Sequence, residues 1–141
     1  PRHAAALNYY GYMLAERGVR LDEAVALIGR ALAEDSSNAS YLDSMGWARF
    51  KQDRLQEAEE YLRKALSRNG HNPEIMAHLG DVLAKSGHDD LAAAQWEKAL
   101  AEWRRALPAD QEPAKVTELE QKLSRMKNRV AQKSAAAPQS R

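Results

Sequence analysis

Small residues recur along this chain at an interval of 34 positions, and no other feature of the sequence constrains its fold as strongly. A glycine, an alanine and an Ala-Leu pair all keep this step. The recurring positions are Gly11, Gly46 and Gly80, then Ala24, Ala58 and Ala92, and then Ala31, Ala65 and Ala99. Gly11 precedes Gly46 by 35 positions, so the first copy carries one additional residue. A period of this length is typical of stacked helical repeats. It predicts three copies, at about residues 4–38, 39–72 and 73–106.

Each copy has the pattern of two helices joined by a tight turn. Apolar residues flank each recurring glycine at helical spacing. Seven positions later comes Gly18, Asp53 or Gly87, where a residue in the left-handed conformation would end the helix. The dipeptide Asn72-Pro73 fits a helix start, with the asparagine as cap and the proline in the first turn. A single Phe and abundant alanine favour helices over strands. We therefore predict an all-α fold.

The recurring glycines need a packing explanation. A glycine in a helix interior costs about 1 kcal/mol relative to alanine. Because glycine has no side chain, however, it lets a facing helix approach closely, and the alanines of the second helices would complement it. The sequence therefore predicts that Gly46 contacts Ala58 across the helix pair.

The order of a large apolar residue, a small residue, an alanine in the second helix and an Ala-Leu pair near its end resembles the tetratricopeptide repeat. In the second copy these residues are Leu42, Met45, Gly46, Ala58, Leu62, Ala65 and Leu66. The resemblance covers residues 4–106 and implies a superhelix of three repeats that binds other proteins without catalysing a reaction. Two departures stand out. Arg49 replaces a bulky apolar or aromatic residue of the family, and the proline usual at repeat ends is found only as Pro73.

The sequence after the third copy predicts a capping helix. Apolar residues at helical steps carry the last repeat helix on to Pro108, and a further amphipathic helix follows at about residues 113–133. Because stacked repeats leave their last apolar face uncovered, this helix should pack on Trp103 and Leu107. The alternative is a coiled coil through which the chain self-associates. We predict domain boundaries of 1–107 for the repeats, 108–133 for the loop and cap, and 134–141 for a flexible tail.

No sequence pattern in the chain predicts catalysis or cofactor binding. Phosphate-binding loops, zinc-protease motifs and nucleophile elbows are absent, and there is no cysteine. His71 and His78 lack the four-residue spacing of helical zinc ligands and are expected to be solvated. We predict a protein that is not an enzyme and holds no metal. We do not expect a nucleic acid or membrane partner, because charge alone is unspecific and no stacking platform accompanies the basic run near the end of the chain. Its members are Lys122, Arg125, Lys127, Arg129 and Lys133.

A second stripe on the first helices is the candidate binding surface. At 100° per residue it lies about 100° from the stripe that packs within the pair. Its members are Asn8, Tyr12, Asp43, Trp47, Phe50 and Asp81. The resemblance implies that this stripe lines a concave groove for a peptide or protein partner, with Tyr12, Trp47 and Phe50 as exposed aromatics. The alternative is that Trp47 belongs to the core. The family's clamp for chaperone carboxylates is not expected, because only Asn8 fits it and the two aspartates would repel a carboxylate.

Length and the chain start set the remaining expectations. The 141 residues begin Pro-Arg-His, without Met, a signal sequence or a lipidation motif, so we expect a piece of a longer protein. No run of apolar residues is long enough to span a membrane. A fainter similarity to the C-terminal repeats of bacterial multi-repeat proteins, including outer-membrane lipoproteins, favours a periplasmic or outer-membrane-associated location, with the cytoplasm as the alternative.

Overall fold

The structure, a computed structural model, describes residues 2–136. All regular secondary structure in this range is helical. Their bounds are α1 Arg2–Arg17, α2 Leu21–Glu34, α3 Ala39–Lys51, α4 Leu55–Arg68, α5 Pro73–Lys85, α6 Asp89–Arg105 and α7 Pro113–Ala136. Within this range there is no strand, so the prediction of an all-α fold is confirmed.

The first six helices form three antiparallel pairs that stack in chain order. α1 packs on α2, α3 on α4 and α5 on α6, and each pair then contacts the first helix of the next one. The first helices α1, α3 and α5 also lie beside one another. This arrangement places the first helices along one side of the stack and the second helices along the other.

Local sequence signals explain where the helices begin and end. Gly18, Asp53 and Gly87 have φ angles of 68°, 64° and 85°, so all three adopt the predicted left-handed conformation after the first helix of each pair. At the start of α5, the side-chain oxygen of Asn72 accepts hydrogen bonds from the backbone N–H groups of Glu74 and Ile75, at 2.9 Å and 3.2 Å. These contacts confirm the predicted Asn-Pro helix start.

The recurring glycines lie where the two helices of a pair come closest. A Cβ atom on Gly46 would lie 2.7 Å from Cγ of Leu62 and 3.2 Å from the backbone oxygen of Ala58. Cβ atoms on the other two glycines would likewise overlap Ile28 in the first pair and the Trp96 ring in the third. Since no such atom fits, the predicted close approach between Gly46 and Ala58 is confirmed.

α7 covers the end of the stack formed by the third pair. Its apolar residues Leu119, Leu123 and Met126 are buried in the same cluster as Trp103 of α6. The apolar stripe that a coiled coil would need is therefore used inside this chain.

Two details at this end differ from the sequence prediction. Leu107 does not pack under the cap, since its side chain is 71% exposed and α6 ends before it, at Arg105. α7 also continues to Ala136, three residues past the predicted end, so residues 134–136 are helical. The rest of the predicted tail, residues 137–141, lies outside the described residues.

Ion pairs fasten α7 to the helices beneath it. Lys122 contacts Asp81 at 3.0 Å, Lys127 contacts Glu97 at 3.4 Å, and Asp89 is shared by two further cations. Those cations are Arg129, at 3.2 Å, and Lys133, at 3.0 Å. Four of the five members of the basic run thus pair with carboxylates of this chain; the fifth, Arg125, contacts only a backbone oxygen within the part of the chain described.

At the opposite end of the stack, no helix of residues 2–136 packs on the outer side of α1. Tyr9 and Tyr10 of α1 are 67% and 45% exposed. Their equivalents one repeat later, Ser44 and Met45, are buried, because the preceding helix pair packs over them. Within residues 2–136, α7 therefore covers one end of the stack, and no helix covers the outer side of the first pair.

None of the helices described is long and apolar enough to cross a membrane.

Candidate functional site

The candidate site is a groove between the first helices and α7, and it consists of two adjoining clefts. The first cleft, of about 130 Å³, lies between α1, α3, α5 and α7 and includes Tyr12, Trp47 and Asp81 in its lining. The second, of about 520 Å³, is bounded by Phe50, Asp81 and residues of α7. The structure thus brings four of the six predicted residues to the groove. Asn8 and Asp43 line neither cleft.

Trp47 forms the floor of the groove rather than an exposed contact. Its indole ring stacks on Phe50 and on His78, with ring centroids 4.8 Å and 4.2 Å away. The indole N–H donates a hydrogen bond to a carboxylate oxygen of Glu16 at 2.9 Å. Only 7% of the residue is exposed, so the expectation of an exposed Trp47 is wrong and the core alternative describes it better. Trp47 is buried because His78 of the next repeat stacks on its ring.

Asp43 and His78 form a buried pair beneath this stack. Nδ1 of His78 lies 2.8 Å from a carboxylate oxygen of Asp43, and both residues are buried. Burial lowers the pKa of His78, but the charge and hydrogen bond of Asp43, with smaller contributions from Glu74 and Asp81, raise it above the ordinary 6.5. Two expectations are therefore wrong: His78 is not solvated, and Asp43 is not exposed in the groove.

Tyr12 lies at the α1 end of the groove and is half-buried. Its hydroxyl donates a long hydrogen bond of 3.5 Å to Glu74. Burial first, and then the negative charges of Glu74 and Glu16, raise the pKa of the phenol well above its ordinary value, so it stays protonated and acts as a donor. The neighbouring predicted residue, Asn8, is also half-buried, and its amide oxygen lacks a hydrogen-bond partner among residues 2–136.

Asp81 connects the first helices to α7. It accepts a hydrogen bond from the indole N–H of Trp96 at 3.2 Å and pairs with Lys122 at 3.0 Å. About two turns earlier in both helices, Glu74 pairs with Lys115 at 3.3 Å. The two aspartates expected to repel a carboxylate thus both have partners, His78 for Asp43 and Lys122 for Asp81.

Sequence reasoning missed the contribution of α7 and of His78 to this groove. α7 supplies Lys115 and Lys122 to the first cleft and Arg125 and Arg129 to the second. Lys122, Arg125 and Arg129 belong to the basic run that the sequence shows, but Lys115 does not, and the sequence does not show that these cations lie over α5. His78 had a weaker signal: it occupies the repeat position of Ser44, one that faces the preceding repeat.

Chemically, the groove offers an aromatic surface with fixed hydrogen-bonding and charged groups around it. Within the described residues, no three His, Asp or Glu side chains group as metal ligands. His71 lies on the surface, 3.4 Å from Glu102. The arrangement suits contact with another molecule.

Comparison with known proteins agrees with the geometry. A family model described as tetratricopeptide repeat matches residues 44–111. A TPR repeat-containing protein of Pseudomonas aeruginosa is 46% identical over 81 residues, which are 57% of this chain and 14% of that protein. This chain therefore aligns with only a small part of the relative.

Two solved structures are similar along most of their length. One is the first TPR of Spaghetti (RPAP3) bound to the HSP90 peptide SRMEEVD, with a TM-score of 0.77, 17% identity, and coverage of 92% of this chain and 97% of that one. The other is PcrH in complex with the chaperone binding region of PopD, with a TM-score of 0.76, 19% identity, and coverage of 89% and 91%. At identities this low, the two similarities show the fold alone. Their TM-scores confirm the predicted tetratricopeptide superhelix.

Proposed function

We propose that this chain, which has the fold of stacked tetratricopeptide repeats and matches their family model over residues 44–111, is a non-catalytic interaction module that binds a segment of a partner protein in its groove. The observation that carries the proposal is the preorganised aromatic surface of the groove. Phe50 and Tyr12 are half-buried beside a floor that Trp47 and His78 hold rigid by stacking. Rigid aromatic side chains lose little entropy on binding and are common interface anchors.

The two structural neighbours support this use of the groove. The RPAP3 domain binds a peptide of HSP90, and PcrH binds a region of PopD. Both partners are protein segments rather than small molecules or nucleic acids. For this chain we propose that Tyr12, Phe50 and Asp81 contact the partner, that Asn8 borders the site, and that Asp43 and Trp47 support it from below.

A random library of displayed peptides, selected for binding to the purified chain, tests the proposal. Peptides that bind should lose about 2 kcal/mol or more of binding free energy with Tyr12→Ala or Phe50→Ala, the usual threshold for an anchor residue. Tyr9→Ala is the matched control, because Tyr9 is an aromatic residue of α1 that is 67% exposed and lines neither cleft. Trp47→Ala is unsuitable as a probe since it removes the floor itself. If no enriched peptide depends on Tyr12 or Phe50, the proposed function is wrong.

A further inference from the structure

The second cleft of the groove has a composition that selects its ligand. It lies between α3, α5 and α7 and has a volume of about 520 Å³, which falls within the range of ligand-binding clefts, about 300–1,000 Å³. Its lining combines apolar and cationic groups. They are Phe50, Ala84, Trp96 and Met126 together with Lys85, Lys122, Arg125, Arg129 and the single acid Asp81.

The apolar part of this cleft is a shallow seat for one side chain. Phe50 and Ala84 are half-buried on one wall, Met126 is buried on the other, and the ring of Trp96 lies beneath. Phe50 is held in place because it stacks on Trp47, with 4.8 Å between ring centroids. An aliphatic or aromatic side chain placed here would bury apolar surface that the folded chain leaves partly open to water.

The cations of the cleft differ in how firmly this chain already holds them. Lys122 and Arg129 pair with the carboxylates of Asp81 and Asp89, and their role is to fasten α7. Arg125 is exposed, and within the described chain its side chain has no carboxylate partner, only the backbone oxygen of Gln121 at 3.4 Å. Its charge is therefore available to a ligand.

Lys85 is the second available cation. Its ammonium lies 5.2 Å from the centre of the Phe50 ring, so it stands beside the apolar seat. It pairs with Asp53 at 3.1 Å, but the two side chains are 52% and 70% exposed, and pairs this exposed contribute little stability. A ligand carboxylate could replace Asp53 at small cost.

From this arrangement, and resting on the proposed function, we propose that the second cleft binds an acidic segment of a partner protein. An Asp or Glu side chain of the segment pairs with Arg125 and Lys85, and a neighbouring apolar side chain packs on Phe50 and Met126. α7 is then part of the binding site as well as the cap of the stack, because it supplies the charge that a ligand meets.

The composition of the peptides selected by display tests this proposal. Peptides retained by the 141-residue chain should be enriched in Asp or Glu next to Leu, Ile or Phe. Their affinity should fall about tenfold or more with Arg125→Glu, because a charge-assisted contact is lost and repulsion replaces it. Arg125→Gln should lower affinity less, and added salt should weaken binding to wild type more than to Arg125→Gln.

Lys64→Glu serves as the control for the change in net charge, since Lys64 is exposed on α4, a second helix outside the groove. It should leave affinity within about twofold, where Arg125→Glu does not. Selected peptides that are neutral or basic, or acidic peptides held equally well by Arg125→Glu, would overturn this inference while the proposed function stands. Failure to enrich any peptide that depends on Tyr12 or Phe50 would overturn both.

Discussion

At the scale of single residues, Gly46 shows how one missing methyl group sets the distance between two helices. An added Cβ would overlap Leu62 at 2.7 Å and press on the backbone of α4. We expect Gly46→Ala to lower the free energy of unfolding by about 1–3 kcal/mol, the usual cost of overpacking. Gly29 is the matched control, because its added Cβ would meet only a methionine methyl at 3.9 Å. Gly29→Ala should therefore be neutral or stabilising by up to about 1 kcal/mol.

Urea unfolding of both variants measures these changes in the free energy of unfolding. An alanine at position 46 that matched or exceeded the wild-type stability would mean that α3 and α4 are less closely packed than described.

The buried pair of His78 and Asp43 predicts that stability depends on pH. The pKa of His78 is raised in the folded protein, so the folded state binds the proton more tightly than the unfolded state does. The stabilisation is fully present below the ordinary pKa of 6.5 and is lost as the pH rises through the raised folded value. We expect the free energy of unfolding of wild type to fall over this window.

His78→Gln keeps a polar side chain but does not titrate, so its stability should change less across the same pH range. Urea unfolding at closely spaced pH values, with an NMR titration of the His78 ring, measures both quantities. A wild-type profile parallel to that of His78→Gln, or a His78 pKa at or below 6.5, would contradict the prediction.

Residue-level features could be predicted from the sequence where the cause is local to one repeat. The turn residues Gly18 and Asp53 and the close contact at Gly46 follow from backbone sterics and from spacing within a copy. The burial of Trp47 does not, because it depends on His78 in the next repeat. The rotation between successive repeats decides which side chains overlap, and the spacing within one repeat does not determine that angle.

At the scale of helices, α7 is predicted to be necessary for the stability of the third pair. A chain that ends at residue 112 would lose the burial of Leu119, Leu123 and Met126 and uncover Trp103. We expect it to melt at a lower temperature and to associate, since a terminal repeat needs a polar outer face. A chain that ends at residue 133 is the control, because residues 134–136 are exposed.

Thermal melts and light scattering of the two truncated chains decide the matter. If the chain ending at residue 112 were monomeric and as stable as the control, α7 would be an accessory to the fold.

Helix ends and helix partners differ in how far the sequence predicts them. The sequence predicts that Pro108 ends α6, but the chain leaves the helix at Ala106, whose ψ of 152° is extended. The residue before a proline disfavours the helical region, so the helix ends early and Leu107 points into solvent. The amphipathic stripe of α7 follows from the period of its apolar residues. The carboxylates on other helices that pair with its cations lie 30 to 44 positions earlier in the chain, and no local pattern predicts those pairs.

At the scale of the whole molecule, the surfaces at the two ends of residues 2–136 differ in how well they would pack against a further repeat. A copy of residues 4–38 fused in register ahead of residue 4 would cover Tyr9 and Tyr10 as the first pair covers Ser44 and Met45. We expect this fusion to raise the melting temperature and to slow hydrogen exchange in α1, because stacked repeats stabilise their neighbours. The same copy fused after residue 136 meets the polar face of α7 and should change neither. Equal effects from both fusions would show that the two ends are alike.

Within residues 2–136, the two ends of the groove have different numbers of neighbouring helices. Coupling between neighbours holds each helix pair in place, and in this range α1 and α2 contact a neighbouring pair on one side only. In the isolated 141-residue chain, local opening should therefore require less free energy at the Tyr12 end than at the Phe50 end, where several ion pairs hold α7 in place. A bound segment would contact a rigid half of the groove at Phe50 and a less stable half at Tyr12, and binding would order the second half. Affinity would then come mainly from the first half, and the entropy lost on binding mainly from the second.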